Sequence, residues 1–367
     1  MNLLMISGDR SILEGRQGAF HSMLQEFALH WERIDIICPR PAFLAAQRVS
    51  LPQNVFFHPS PYGLWFQPFW ILKNGKQLFR SFPFHVMAVH EYPPFYNGVG
   101  AWFLSRAVHV PYALEIHHIV GYPFAASFTE LLGRVLSRLF LPIDAMGARA
   151  LRTVNGIVRD QLVSWRIPAA KLSVVPSFYL DSPLAALFDG QPKQYDIACC
   201  GRLVPNKGFS AVIDVLVQLP NATLVFIGDG PDRNRLERRA RARGVQDRIT
   251  FAGWLPDQQS VLRTMSSARV FLMNSRSEGG PRVLLEAMAI GMPVLTTQVG
   301  IVSDVVQDGV NGLLTTGQPN DLVQKLSHLL SDADLRARLG KAARDVLGRF
   351  EKKHLIKAYA DFLQRIA

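Results

Sequence analysis

The segment SEGGPRVLLEAMAIG carries the clearest candidate for chemistry in the sequence. Glu278 follows an apolar run that predicts a strand, and Glu286 lies eight residues further on, about two turns into the helix that should follow. Gly279, Gly280 and Pro281 open that helix: glycines let a ligand approach the backbone, proline suits the first helical position, and free amides there carry partial positive charge. This spacing predicts a phosphate at the helix start, with two carboxylates accepting hydrogen bonds from hydroxyl groups such as the vicinal diols of ribose or a hexose.

A second group of charged residues follows another predicted strand, in CCGRLVPNKGF. Arg202 and Lys207 come from one loop, and the strand before them would place both cations at the carboxyl edge of a sheet, where the strand before Glu278 also ends. Two cations so placed could clamp a diphosphate. Taken singly, each could instead form a surface ion pair. The GK[ST] ending of the alternative phosphate loop does not occur in the sequence.

Apolar runs and amphipathic segments alternate through both halves of the chain, which predicts an α/β fold. The first half has the predicted strands LLMIS, IDIICP, HVMAVHE and YALEIHH, and the second half has DIACC, TLVFIG, ITFAG, RVFLMN, PVLTT and GLLTT, with helices between them. This rhythm is typical of doubly wound, Rossmann-like parallel sheets. Two such domains, facing across a cleft, would place a ligand between their carboxyl edges.

The length of 367 residues suits two domains. We expect a Rossmann-like domain over residues 1–182, a turn-rich linker DSPLAALFDGQPKQY, and a second Rossmann-like domain over residues 195–345. Residues 346–367 are predicted to form a C-terminal helix that could pack back on the first domain.

Composition excludes several classes of protein. The chain is 49% hydrophobic and 19% charged, which is typical of a globular protein and excludes disordered and collagen-like chains. No apolar stretch reaches the length of a membrane-spanning helix, and Asp9 and Arg10 come too early for a signal peptide, so we expect a cytoplasmic location. Cys38, Cys199 and Cys200 lie in apolar runs without zinc-ligand spacing and are predicted to be reduced core residues.

The net charge of +11 suits an anionic small substrate, an anionic membrane surface or nucleic acid, and composition does not choose among them. The densest basic cluster, DRNRLERRARARG, is predicted to be the solvated face of a helix. No nucleic-acid recognition motif accompanies this cluster, so nucleic acid is not an expected partner.

Four segments together resemble a known family. GRLVPNKG, FIGDGPDRNRLE, FAGWLP and SEGGPRVLLEAMAIGMPVL are similar to the retaining glycosyltransferases of family four, the glycosyl transferases group 1, which have the two-domain GT-B fold. The resemblance covers about residues 196–316. It implies that the second domain binds a nucleotide-sugar donor, with Glu278 at the sugar hydroxyls and Glu286 at the ribose. It also implies that Arg202 and Lys207 hold the diphosphate and that the loop containing Leu255 lies near the base.

In the first domain the resemblance is weaker, and it implies an acceptor-binding role. ALEIHHIVG looks like the family strand that ends in a histidine, which would make His117 the residue near the donor sugar. A lone histidine of this kind can also be structural. EGRQGAF looks like the glycine-rich loop after the first strand, with Gly18 as the phosphate contact. Asp304 stands where the family usually has glutamate.

The resemblance implies transfer of a sugar from a UDP- or GDP-hexose to an acceptor hydroxyl, with retention of the anomeric configuration and without a metal or another cofactor. Arg202, Lys207 and the helix start at Gly280 would balance the leaving-group charge. Surface polysaccharide or glycolipid assembly is the expected setting. A nucleotide-sugar epimerase of the same fold and a catalytically silent nucleotide-sugar-binding subunit stay open as alternatives. Asp332 and Asp334 match the Asp-x-Asp metal-binding pattern of the other glycosyltransferase fold, but Asp332 lies at a predicted helix start and is expected to cap that helix.

The acceptor is expected to be a saccharide or a lipid-linked molecule. The aromatic segments PYGLWFQPFW and EYPPFY could stack on sugars or reach lipid, although packing in the core is the preferred interpretation for these side chains. The helix ELLGRVLSRLFLP is basic and amphipathic. We interpret it first as an ordinary surface helix and second as a helix that lies on an anionic membrane, which would make the protein peripheral to that membrane.

Overall fold

The computed structural model describes residues 1–16, 18–45, 49–122, 125, 127–180, 188, 191–278 and 280–367. The chain divides into two compact units. The first contains residues 1–119, 132–177 and 353–367, and the second contains residues 120–131 and 178–352. Residues 120–131 thus group with the second unit, whereas the sequence pattern assigned them to the first domain. The predicted linker lies largely outside the described residues.

Besides the last helix of the chain, the first unit contains seven strands, four whole helices and most of a fifth among the described residues. The strands are β1 (Asn2–Ile6), β2 (Arg33–Cys38), β3 (Val55–Pro59), β4 (Val86–His90), β5 (Tyr112–Ile116), β6 (Ala150–Thr153) and β7 (Leu172–Val174). The helices are α1 (Ala19–Phe27), α2 (Gln67–Ser81), α3 (Tyr96–Val108), α4 (Phe128–Gly147), of which residues 132–147 belong to this unit, and α5 (Gly156–Ser164).

The seven strands form one parallel sheet in the order β3-β2-β1-β4-β5-β6-β7. The inner strands are buried along almost their whole length, as expected for a parallel sheet covered by helices on both faces. The strand order reverses between β1 and β4. The carboxyl ends of these two strands therefore flank the crevice in which open α/β sheets bind ligands.

The second unit repeats this architecture. Its strands are β8 (Tyr195–Cys200), β9 (Leu224–Ile227), β10 (Ile249–Gly253), β11 (Ala268–Met273), β12 (Val294–Thr297) and β13 (Leu313–Thr315). Its helices are α6 (Phe209–Val217), α7 (Arg233–Ala242), α8 (Gln258–Ser266), α9 (Arg282–Ala289), α10 (Val302–Val305), α11 (Pro319–Ser331), α12 (Ala333–Ala343) and α13 (Val346–Arg349). Asp332 accepts a hydrogen bond from the backbone N–H of Leu335 (2.8 Å) and caps α12, as predicted.

The strands of the second unit form a parallel sheet in the order β10-β9-β8-β11-β12-β13. The order reverses between β8 and β11, so the loops that carry Lys207 and Glu278 leave the sheet at its switch point. A core of aliphatic and aromatic side chains from α6, β9 and α11 covers one face of this sheet. The predicted doubly wound α/β class is confirmed for both units.

The last helix, α14 (Lys352–Gln364), groups with the first unit from residue 353 onwards. Tyr359 is buried and stacks on Phe27 of α1, with ring centroids 4.6 Å apart. The amide of Gln364 donates to the carbonyl oxygen of His30 (3.1 Å). These contacts make α14 part of the first unit's core.

The aromatic segments were expected to pack in the core, and the structure shows this for only part of them. Phe95 is buried as expected, but Trp65, Phe66 and Phe69 are 82%, 62% and 55% exposed. Core packing is therefore wrong for these three residues. Trp65 and Phe66 lie before α2, and Phe69 is not on the buried side of α2, which is formed by Gln67, Ile71, Gly75 and Leu78. No helix among the described residues combines the length and apolar character needed to cross a membrane.

Candidate functional site

The switch point of the second sheet brings together two of the predicted site residues. Lys207 ends the short helical turn after β8, and Glu278 follows β11. Their side chains form an ion pair between Nζ and Oε1, and both are largely buried, with 17% and 14% of each side chain exposed. Lys207, predicted to hold the diphosphate, and Glu278, predicted to bind sugar hydroxyls, are thus in contact.

Gly208 explains why the Lys207 loop can come so close to β11. It has φ +68°, and a Cβ at this position would lie 2.3 Å from the carbonyl oxygen of Asn274. Only glycine tolerates both the left-handed backbone and this approach. The side chain of Asn206 also contacts the carbonyl oxygen of Ser277 (3.4 Å), and the backbone N–H of Arg276 donates to the carbonyl oxygen of Asn206 (2.7 Å). The two loops are therefore held together by their backbones.

Glu286 lies in α9 and is only 6% exposed. Its Oε1 accepts hydrogen bonds from Nε2 of Gln258 (2.7 Å) and from Nε of Arg282 (2.9 Å). Burial raises the pKa of Glu286, against the opposing effects of Arg282 and Gln258. Both site charges affect the Cys200 thiol at the end of β8: burial and, to a lesser extent, Glu286 raise its pKa to about 12, against the opposing effect of Lys207. Glu286 and Lys207 therefore converge on the carboxyl end of β8.

The start of α9 differs from the expectation in one respect. Pro281 precedes the first helical residue, Arg282, and is buried. Beside it, the ring of Phe178 packs against the backbone of Gly280 so closely that a Cβ there would fall 1.5 Å from a ring carbon. The absence of a side chain at Gly280 therefore accommodates a phenyl ring of the same unit. Gly279 lies outside the described residues.

The remaining predicted donor-site residues are more open. The side chain of Arg202 is exposed and forms no ion pair within the described part of the chain. Leu255 is half-buried in the loop after β10, next to Trp254, which is 80% exposed. The arginines of α7 are engaged with their own unit: Arg239 and Arg243 both pair with Asp214 of α6.

In the first unit, His117 belongs to a cluster at the carboxyl end of the sheet. Glu115 is 0% exposed, and its Oε2 lies 3.0 Å from Nε2 of His90, 3.6 Å from Nε2 of His117 and 3.3 Å from Nη1 of Arg152. Nδ1 of His90 is 3.1 Å from the hydroxyl of Ser7. Because Ser7 follows β1 and His90 ends β4, this last contact spans the switch point of the first sheet.

Opposing effects set the charges in this cluster. Burial alone would raise the pKa of Glu115, but Arg152 and then His90 bring it well below its usual range. Burial lowers the pKa of His117 against the hydrogen bond and charge of Glu115, and the electrostatic effects of His90 and Arg152 lower it further. The cluster therefore holds an ionised glutamate and a neutral His117 at neutral pH.

Three atoms of this cluster, one each from His90, Glu115 and His117, lie within 4.8 Å of one another, a spacing that could hold a metal ion. Arg152 argues against this use. Its guanidinium already occupies the same carboxylate oxygen, and its charge would repel a second cation.

Gly18 immediately precedes α1, with φ −106°, and a Cβ at this position would meet nothing within 4 Å. Neither backbone strain nor crowding therefore requires glycine at this position.

Sequence reasoning missed several residues of these sites: Gln258, Phe178, Glu115 and Arg152. The four-residue spacing of Arg282 and Glu286 in one helix could have been recognised as a local ion pair. Glu115 lies two residues before His117, a spacing that places both on one face of a strand. The contacts of Gln258, Phe178 and Arg152 join segments that are distant in sequence, and their pairing carries no local signal.

Residues 189–346 match the family model described as Glycosyl transferases group 1. The matched residues include most of the second unit. The match contains every predicted donor-site residue from Arg202 to Glu286. The motifs at the switch point of the second sheet therefore lie within the matched region.

Curated relatives and solved structures extend the comparison. The chain is 28% identical to a sulfoquinovosyl transferase of Arabidopsis thaliana over 72% of this chain and 53% of that protein, and 33% identical to the lipopolysaccharide core biosynthesis glycosyltransferase LpsE of Rhizobium meliloti over 44% and 48%. It spans about half the length of these relatives. The Anabaena protein HepE, solved in complex with UDP, superposes with a TM-score of 0.72 at 19% identity, covering 100% of both chains. The fold is GT-B.

Proposed function

We propose that the protein is a retaining glycosyltransferase that moves a hexose from UDP or GDP to an acceptor hydroxyl. The observation that carries this proposal is the pairing of Lys207 with Glu278 beside the buried Glu286, within a group 1 glycosyl transferase domain. A nucleoside diphosphate sugar needs hydrogen-bond acceptors for its ribose and its hexose and a cation for its diphosphate, and these three residues offer those groups.

Each site residue has a role in this proposal. Glu286 accepts hydrogen bonds from the ribose hydroxyls, and Glu278 accepts them from the hexose. When the donor binds, contacts of Lys207 and Arg202 with the diphosphate replace part of the Lys207–Glu278 ion pair. As the bond between the sugar carbon and the phosphate oxygen breaks, the electron pair goes to the phosphate, and these two cations stabilise it. The acceptor oxygen bonds to the same face of the sugar, and its proton passes to the departing phosphate. No step requires a metal ion or a cofactor.

The first unit has two roles in the proposal. His117 accepts a hydrogen bond from the donor sugar, and Gly18 lets the backbone before α1 approach the phosphate. Exposed aromatic side chains, Trp65 and Phe69 among them, would contact the acceptor. The curated relatives named for sulfoquinovosyl transfer and lipopolysaccharide core biosynthesis support a glycolipid or surface polysaccharide acceptor.

A thermal-shift experiment tests the donor site without an acceptor. UDP, GDP, ADP and dTDP are added separately, with and without their sugars, to the wild type and to Arg202→Ala and Glu286→Ala. A nucleotide at 100 times its dissociation constant should stabilise the wild type by about 2.7 kcal/mol. The shift should disappear in both variants and persist in Arg238→Ala, which removes an exposed arginine of α7. If no nucleotide stabilises the wild type, the proposal is wrong.

Product analysis tests the reaction itself. With the nucleotide identified, the matching sugar nucleotide and a panel of saccharide and lipid-linked acceptors should give a new glycosidic bond of the same anomeric configuration as the donor. An epimerised sugar nucleotide in the absence of acceptor would favour the epimerase instead.

We also propose that the protein docks on an anionic membrane through α4. Leu132, Val135, Leu139, Ile143 and Met146 recur at three- and four-residue spacing and are 47–79% exposed, so one apolar face of this helix is open. The exposed Arg138 lies in the same stretch. Apolar side chains with basic neighbours suit an anionic lipid surface, at which a lipid-linked acceptor would reside.

Co-sedimentation with vesicles tests the membrane proposal. Vesicles that contain phosphatidylglycerol should bind the wild type at low salt, and phosphatidylcholine vesicles should bind it more weakly. The double variant Leu139→Glu, Met146→Glu should lose binding. Leu29→Glu is the matched control, because Leu29 is also exposed, at 76%, but lies outside α4. Equal binding of all three proteins would contradict docking through α4.

A further inference from the structure

The cluster beneath His117 determines which ring nitrogen carries a proton. Glu115 is ionised and fully buried, and an ionised carboxylate accepts hydrogen bonds but donates none. Nitrogen atoms of His90, His117 and Arg152 all approach its Oε2, at 3.0, 3.6 and 3.3 Å. A lone pair directed at this oxygen would be repelled. The two ring nitrogens that face it should therefore carry hydrogen.

The contact of Nδ1, on the opposite side of the His90 ring, gives a check on its tautomer. The hydroxyl oxygen of Ser7 accepts a hydrogen bond from the backbone N–H of Asp9 (3.1 Å), and the same oxygen lies 3.1 Å from Nδ1 of His90. With Ser7 already an acceptor, its own proton is available for Nδ1. His90 is therefore protonated on Nε2 and accepts at Nδ1, in agreement with its contact to Glu115.

Like His90, His117 directs its Nε2 atom toward Glu115, but its side chain is more exposed. Its Nε2 is buried and has no hydrogen-bond partner within the described residues other than the nearby Glu115 carboxylate. The side chain as a whole is 41% exposed. The exposed part of the side chain therefore consists of atoms other than Nε2.

We propose that Glu115, held by Arg152, is a positioning residue that keeps His117 neutral and protonated on Nε2, so that Nδ1 offers a lone pair to the substrate. This inference rests on the proposed function for its catalytic consequence: His117 accepts a hydrogen bond from a hydroxyl of the donor sugar and gives no proton to the leaving phosphate.

The surroundings of the carboxylate hold this arrangement in place. Arg152 is nearly buried, and its guanidinium donates to the carbonyl oxygens of Val175 and Pro176, both at 2.9 Å. The ring of Tyr359 from α14 lies 3.7 Å from the guanidinium carbon. Glu115 thus has a fixed positive partner, whose effect on the pKa of His117 opposes that of Glu115. His90, Glu115, Arg152 and Tyr359 are the titratable groups that face His117 or its partners, and burial also lowers the pKa of His117.

Nitrogen NMR on histidine-labelled protein tests the inference without measuring activity. At pH 7, His117 should show a proton on Nε2 and an unprotonated Nδ1, with its signals assigned by their loss in His117→Ala. The same state should appear whether or not the chain binds a nucleotide. A proton on Nδ1, or a doubly protonated ring, would overturn the inference. So would stoichiometric binding of Zn²⁺ that perturbs His90 and His117 together, because the cluster would then be a metal site.

Kinetics of Glu115→Gln test the catalytic consequence. The amide can donate as well as accept, so the single tautomer should be lost. We expect kcat to fall by about 100-fold, with KM for the sugar nucleotide little changed. In the His117→Ala background the same substitution should cost nothing further, whereas a structural role would lower kcat in both backgrounds and contradict positioning. If Glu115→Gln fails to fold, the wild-type tautomer still decides the matter.

The outcomes separate this inference from the proposed function. Absence of any nucleotide-induced stabilisation of the wild type defeats the function while the tautomer stays testable. Nucleotide binding and transfer with His117 in the Nδ1-protonated form would defeat the inference and leave the function intact.

Discussion

Lys207 and Glu278 form an ion pair across the switch point of the second sheet, although 71 positions separate them in the sequence. The pair joins the loop after β8 to the loop after β11. In the proposed reaction the same two side chains contact adjoining parts of the donor. The pair therefore has a structural role and, in the proposed reaction, a binding role, and the two can be separated by experiment.

Exchanging the two charges separates these roles. Glu278→Lys alone places two ammonium groups together and should lower the free energy of unfolding by about 2 kcal/mol. Adding Lys207→Glu restores an ion pair of reversed sense and should recover most of that loss. It should not recover stabilisation by a nucleotide sugar, because a carboxylate would then face the diphosphate. Urea unfolding and thermal shifts with the nucleotide sugar measure the two effects, with Lys341→Ala as an exposed control. Recovery of both stability and binding would contradict the assigned roles.

The raised pKa of Glu286 predicts a pH dependence of nucleotide affinity. Burial makes this carboxyl protonate at a higher pH than an exposed glutamate. Only the ionised form can accept hydrogen bonds from ribose at both oxygens. The dissociation constant of the nucleotide should therefore increase as the pH falls toward the acid range. Glu286→Gln should bind weakly throughout and show a flatter profile in calorimetric titrations, and an unchanged slope would exclude Glu286 as the titrating group.

Gly280 and Gly18 are both predicted phosphate-contact glycines, yet they should respond differently to alanine. At Gly280 a Cβ collides with the Phe178 ring, so Gly280→Ala should lower the melting temperature through a cost of about 1–3 kcal/mol. Phe178→Ala should remove most of that difference when the two changes are combined. At Gly18 a Cβ meets nothing, so Gly18→Ala should leave the melting temperature unchanged. Equal effects of both substitutions in the wild-type background would be inconsistent with this packing.

Asp144 predicts a pH dependence of stability. Burial raises its pKa from the ordinary 3.8 to about 7 in the folded protein. Between these values the folded state binds more protons than the unfolded state, so the contribution of Asp144 to the free energy of unfolding decreases as the pH rises through this range and is constant above it. The neighbouring Glu91 acts in the same sense, since burial and Asp144 raise its pKa well above the usual range.

Asp144→Asn should therefore gain stability relative to the wild type as the pH rises from 5 to 8. Urea unfolding at several pH values gives the difference between the two proteins. Asp160→Asn serves as the control, because 67% of that side chain is exposed. A difference that stays constant with pH would show that Asp144 does not titrate in this range.

Much of the second unit was predictable because its evidence is local. Strands of a parallel sheet are short apolar runs, and each donor-site motif lies directly after one of them. The alternation of strands and helices is enough to place such motifs at a carboxyl edge. The sequence therefore predicted that Arg202, Lys207, Glu278 and Glu286 lie on one edge of one sheet, although not which side chains would be in contact.

The aromatic segment before α2 shows where local evidence fails. An apolar run of this length resembles core sequence, and nothing within it indicates which side of the helix faces inward. Packing of α2 and α3 against the first sheet decided that Ile71 and Leu78 are buried while Trp65, Phe66 and Phe69 face solvent.

By itself the sequence determined the α/β class, the order of the strands along the chain and the identity of the charged residues at the second sheet's edge. Only the tertiary structure decided that Lys207 pairs with Glu278, that a phenyl ring packs against Gly280, and that Glu115 and Arg152 lie beneath His117. The physical reason is that strand periodicity and helix amphipathicity are properties of neighbouring residues, whereas contacts between buried charges depend on which strands become neighbours in the sheet.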